Sequence, residues 1–140
     1  MTLWTGLVLF LAGCAPTTAT RSQPAPLDYS VVAGTWKGTV AQSDAQAVYT
    51  VRLTLLPAPL EDGIVGSSDY PSLECGGDLV AVRRDGTTAV VREVLSYGQD
   101  ECIDNVLLYL TANPDGTLAY AFYNTDMTTP EGVATLTKLR

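Results

Sequence analysis

The chain has 140 residues, with 8 Lys and Arg against 15 Asp and Glu for a formal net charge of -7, and it contains no histidine. That balance argues against a nucleic-acid partner and against adhesion to an anionic membrane face, both of which need clustered cations; solubility is the plainer use of the charge. A chain of this length can bury one sizeable core without metals or many cross-links, so a single domain is expected.

The first stretch, Leu3 to Ala12, is apolar but too short to span a bilayer as a relaxed helix. It ends in Leu11-Ala12-Gly13-Cys14, which resembles a bacterial lipobox. Small residues at Ala12 and Gly13 suit a peptidase cleft, and the thiol of Cys14 is the group there that can carry a thioether-linked lipid. The resemblance implies that residues 1–13 are a lipoprotein signal peptide, that Cys14 takes a diacylglyceryl group, and that its new amino terminus is acylated, for example with palmitate. Each buried methylene is worth about 0.8 kcal/mol and stable anchoring needs more than one acyl chain, which a processed Cys14 would supply. The expected site is the cell envelope, with the membrane as partner. Similar lipoproteins kept at an inner membrane carry Asp where this chain has Ala15, so the resemblance implies the outer membrane if the cell has one, and otherwise the outer face of the plasma membrane.

Residues 14–30 read as the lipidated cysteine and a tether. From Ala15 to Pro26 there is no large apolar residue to offset the entropy of ordering, and Pro16, Pro24 and Pro26 favour an extended chain rising about 3.1 Å per residue. Residues 31–140 form the expected domain. With Cys14 assigned to lipid, Cys75 and Cys102 remain as an even pair in an oxidising compartment, which predicts a disulfide. Two cysteines without histidine do not complete a zinc site.

The domain alternates apolar and polar residues with period two, broken at short intervals by turn residues, the pattern of an antiparallel meander. Gly34 to Ala41 places Trp36, Gly38 and Val40 on one face; Tyr49, Val51, Leu53 and Leu55 share a face of the next strand, which Pro57 and Pro59 stop. Further strands are expected from Gly63 to Ser68, from Asp78 to Arg84 after a tight Gly76-Gly77 pair, and from Thr88 to Tyr97. The composition of Gly66-Ser67-Ser68-Asp69 reads as a turn, and Asp85-Gly86 as another. Ile103 to Thr111 and Thr117 to Tyr123 make a hairpin around Asn113-Pro114-Asp115-Gly116, and Val133 to Leu139 ends the series. About eight short strands predict an all-β fold, an antiparallel up-and-down barrel in preference to a β-sandwich, because closure removes exposed edges.

Gly34-Thr35-Trp36 resembles the glycine-x-tryptophan start of lipocalin-like and avidin-like barrels. In those families the tryptophan plugs one end and a basic side chain of the last strand packs over it, a part that Lys138 or Arg140 would play. Gly34-x-Trp36-x-Gly38, Val65-Gly66-x-Ser68-x-Tyr70-Pro71-Ser72-Leu73-x-Cys75-x-Gly77-x-Leu79, Glu93 and Cys102 are similar to an uncharacterised extracytoplasmic domain of secreted bacterial proteins and of the outer segments of some actinobacterial serine/threonine kinases. That resemblance implies export and the cystine, and no activity.

No serine lies in a Gly-x-Ser-x-Gly elbow or a Ser-x-x-Lys arrangement, and no glycine loop is followed by the Lys and helix that cradle phosphate. An enzyme is therefore not expected, nor is a cofactor; a hydrolase using carboxylates is the competing class. Asp69, Glu74 and Asp78 on one arm of the cystine and Asp100, Glu101 and Asp104 on the other read as a solvated acidic rim, with calcium as the sharper alternative. Glu93 shares a face with Ala89, Val91 and Leu95, where its charge needs a partner, for which Arg83 and Arg92 are nearby candidates. Trp36, Tyr49, Glu93 and Tyr120 are the candidate ligand-binding residues. The expected function is a lipid-anchored, non-enzymatic binding or interaction module of the envelope, its partner an envelope protein or a small apolar ligand carried in the barrel.

Overall fold

A computed structural model describes residues 13–14, 27–43, 46–124 and 128–140. The expected signal peptide before Gly13 and the tether from Ala15 to Pro26 lie outside the described residues. Cys14 is a free, exposed thiol.

The fold is a closed barrel of eight antiparallel strands in sequence order. They are β1 (Gly34–Gln42), β2 (Ala47–Leu55), β3 (Ile64–Tyr70), β4 (Cys75–Asp85), β5 (Thr88–Tyr97), β6 (Val106–Ala112), β7 (Leu118–Tyr123) and β8 (Gly132–Lys138). Strand β1 pairs with β2 along its full length and with β8 on its other side, from Trp36 opposite Lys138 to Gln42 opposite Gly132. That closure excludes the sandwich, and it follows from the period-two pattern: a single buried face wraps round to meet itself. Tyr49, Val51, Leu53 and Leu55 of β2, Val106, Leu108 and Leu110 of β6, and Leu118, Tyr120 and Phe122 of β7 all point into the core.

One end of the barrel is plugged. Trp36 is buried there, its Nε1 donating to the Val32 carbonyl at 2.8 Å, while Lys138 Nζ lies 5.3 Å from the centre of its ring. Gly34, at φ 130°, leaves room for the Lys138 stem, which a Cβ at that position would strike. Lys138 thus takes the place over the tryptophan for which both Lys138 and Arg140 were candidates. The short 3-10 helix Ser30–Val32 crosses this end, and the fully buried Tyr29 donates its hydroxyl to the carbonyls of Arg83 and Val90. Tyr29, at the end of the expected tether, is packed into the domain by its ring and by a hydroxyl bonded across to β4 and β5, and the exposed Ser30 starts the short helix.

Gly76-Gly77, read as a tight turn, is strand, and so is all of Gly66-Ser67-Ser68-Asp69, whose composition reads as a turn although its first three residues fall in the strand expected from Gly63 to Ser68. Gly76-Gly77 lies inside β4, which starts at Cys75 and not at Asp78. Its glycines serve close approach: a Cβ on Gly77 would collide with the Val94 carbonyl, and one on Gly76 with the Tyr97 hydroxyl and the Ser68 carbonyl. Gly66-Ser67-Ser68-Asp69 lies inside β3, where Gly66 faces the Thr54 carbonyl too closely for any side chain. Strand β6 begins at Val106, later than Ile103, because Asp104 turns the chain by accepting the amide protons of Leu95 and Asn105 at 2.8 and 2.7 Å.

Candidate functional site

At the end away from Trp36, where β1, β3, β5 and β7 finish, lies a cavity of about 230 Å³. Tyr49, Tyr70, Tyr120, Phe122 and Glu93 form its inner part. Gln42, Ala47, Leu73, Glu101, Cys102 and Ile103 form its outer part. Lining that runs from Tyr120, at 2% exposure, to Ile103, at 42%, opens the cavity to solvent.

The disulfide Cys75–Cys102 shapes the mouth. It joins the start of β4 to the loop between β5 and β6, with Cα atoms 6.3 Å apart. Gly98, at φ 67°, turns that loop back so that it packs on the cystine, and its position beside the Cys75 side chain and the Glu74 carbonyl leaves no space for a Cβ. Cys102, Ile103 and Glu101 are thereby set on the rim. Two of the acidic residues around the cystine have structural uses: Asp69 accepts the Tyr97 hydroxyl proton at 2.5 Å and holds that phenol's pKa up to about 12, and Asp104 caps the strand end as described. Among the described residues, no group of three or more Cys, Asp or Glu is placed to hold a metal ion.

Glu93 enters the core because β5 alternates, setting it opposite Leu79 of β4 and Val106 of β6. It is 3% exposed. Burial pushes its carboxyl above the usual carboxylate range, and the hydroxyls of Ser68 and Tyr70 act in the opposite direction. The Tyr70 hydroxyl donates to Glu93 Oε1 at 2.8 Å and lies 3.1 Å from the Tyr120 hydroxyl. With the Tyr70 proton committed to the carboxylate, Tyr120 is the donor of the second bond, giving a relay from Tyr120 through Tyr70 to Glu93. Burial, followed by the neighbouring Tyr120 and Glu93, holds the Tyr70 phenol well above its ordinary pKa, so that its proton stays available for donation. Ser68 Oγ is buried close enough to Glu93 to favour its charged form, but it lies outside hydrogen-bond geometry with any described residue. Tyr49 stacks edge-on against Tyr70, ring centres 5.8 Å apart.

Of the candidate ligand-binding residues, Tyr49, Glu93 and Tyr120 come together at the cavity, whereas Trp36 lies at the plugged end and does not line it. The expected partners of Glu93 are corrected. Arg83 lies on the outer surface, paired with Asp85 at 2.8 Å and bonded to the Tyr109 hydroxyl, and Arg92 points to Asn105. Arg92 adjoins Glu93 in sequence and so faces the opposite side of the sheet. Tyr70 and Phe122, which the sequence offers with Tyr49, Tyr97, Tyr109, Tyr120 and Tyr123 either as core filling or as an aromatic mouth, line the cavity with Tyr49 and Tyr120, while Ser68 was no candidate. Gly66-Ser68-Tyr70 is itself a period-two inward series; the strand expected from Gly63 to Ser68 stopped short of Tyr70, which β3 includes.

Fold and site together define a closed all-β barrel with a solvent-open internal chamber capable of holding a small ligand. No protein-family model matches the chain, nor does any curated protein or solved structure.

Proposed function

We propose that this protein is a non-enzymatic, lipocalin-like binding module that holds a small ligand in the barrel and is displayed at the cell envelope through lipid on Cys14. The observation that carries the binding reading is the chamber of about 230 Å³, walled by aromatic rings, with one buried carboxylate and its phenol relay at the inner end. Sites of this type combine mostly apolar walls with a few fixed polar groups that orient the ligand. An engineered apolar cavity of about 150 Å³ takes up benzene, which sets the ligand at a single ring or a comparable aliphatic body with a short substituent. The lipocalin-like reading is supported by Gly34, Trp36 and Lys138 at the plugged end.

Heteronuclear NMR titration with a panel of one-ring compounds tests the binding reading. Shifts confined to residues around Tyr49, Tyr70, Glu93 and Tyr120 are expected. Ala47→Phe, which fills the mouth from β2, should abolish them while leaving the unfolding free energy within about 0.5 kcal/mol of wild type, as for surface-proximal changes. Undiminished binding by a folded Ala47→Phe variant would reject the chamber as the site.

The anchoring reading is supported by the lipobox resemblance and by a free, exposed thiol at Cys14 apart from the cystine. Cys14→Ser is expected to move the protein from the membrane to the soluble fraction on cell fractionation. Membrane retention equal to wild type would reject the lipid.

A further inference from the structure

We propose that the chamber selects a compact organic cation: an ammonium group on a small apolar or aromatic body, its charge at Glu93 and its body against the ring walls. This rests on the small-ligand reading above and specifies its chemistry.

The first observation is a buried carboxyl group without a basic partner. Glu93 is buried between Leu79 and Val106 on the neighbouring strands, yet no Lys or Arg among the described residues pairs with it; the ion pair that the described residues do form, Arg83–Asp85, is on the outside. A buried carboxylate without a counter-charge is costly, and hydrogen bonds from phenols offset only part of that cost. Here the carboxylate also lines a chamber that a ligand can enter, so a cation from solution can complete the site.

The walls point to the same class. Tyr49, Tyr70, Tyr120 and Phe122 surround the space beside Glu93, and aromatic faces attract cations while tolerating an apolar body. A divalent metal ion is disfavoured by the same inventory, since calcium takes about six to eight oxygen ligands and no cluster of three or more acidic or thiol groups exists among the described residues. The approach is suited as well: Glu101 stands at the rim, and a chain with a formal charge of -7 draws cations toward its surface and repels anions.

A matched series separates the two levels of the proposal. Benzylamine, benzyl alcohol and benzoate share one body and differ in the group offered to Glu93. With the purified full chain at neutral pH, isothermal titration is expected to show benzylamine binding about tenfold or more tighter than benzyl alcohol, with benzoate weakest. Glu93→Gln should bring the amine down to the affinity of the alcohol and leave the alcohol within about twofold. Equal affinity of the wild-type protein for amine and alcohol would overturn the cation assignment while preserving the chamber as a binding site, and that comparison needs no variant to fold. Binding by none of the three would overturn both. An amine preference that survives Glu93→Gln in a variant with native NMR dispersion would place the charge recognition elsewhere and overturn the assignment to Glu93.

Discussion

Glu93 sets the pH response of the barrel. Its pKa in the folded protein is raised above the ordinary 4.5, with burial as the leading cause. The native state therefore holds that proton more tightly than the unfolded chain does. The resulting stabilisation is fully present below the unfolded pKa and is lost as pH rises through the folded one. Glu93→Gln keeps the shape and cannot ionise, so the variant should gain on the wild type between pH 4 and neutrality. A tenfold difference in proton affinity corresponds to about 1.4 kcal/mol, readable from urea midpoints at each pH. A wild-type advantage that grows with pH would contradict the direction. The inward position of this residue was legible from alternation with Ala89, Val91 and Leu95; its partner was not. The donor, Tyr70, stands on a strand two places round the barrel, and an uncharged phenol gives no charge complement to search for, whereas the nearby arginines do.

Strand β4 is where local sequence and tertiary structure diverge most. Two adjacent glycines ordinarily signal a turn, since they lack side chains to pack and carry the largest backbone entropy. In this barrel they sit where β3 and β5 crowd β4, at a register shift between Gly76 and Gly77. Gly77→Ala should destabilise the protein by about 1–3 kcal/mol, the usual range for overpacking, because the obstacle is the Val94 backbone and cannot rotate away. Val82→Ala, on the exposed part of the same strand, should stay within about 0.5 kcal/mol, and thermal unfolding of the pair checks both. Strand β2 was fully legible because its inward residues are large and regularly spaced. Gly76-Gly77 was not, because a close backbone approach leaves no periodic mark in two adjacent glycines, and β3 was legible from Gly63 to Ser68 but not on to Tyr70.

For the molecule as a whole, the even cysteine pair and the meander were both readable, and closure followed from edge removal. Which end would open was not, because it depends on Tyr29, Val32 and Trp36 sealing one side, contacts that link the chain's early residues to β4 and β5. The cystine fixes the opposite side. On the loop-entropy model, reducing Cys75–Cys102 should lower stability by roughly 3.5 kcal/mol, seen as a fall in the denaturant midpoint with reductant. It should also weaken ligand binding, since Glu101, Cys102 and Ile103 ride on the loop that the bond holds.

The sealed side is also where the polypeptide enters the barrel, through Tyr29 bonded to the Pro57 carbonyl and the short helix that follows. A cup fixed by its base turns its rim to the surroundings. On the anchoring proposed above, the attachment leaves from the base, and the aperture is the end of the barrel that the amino-terminal segment leaves free.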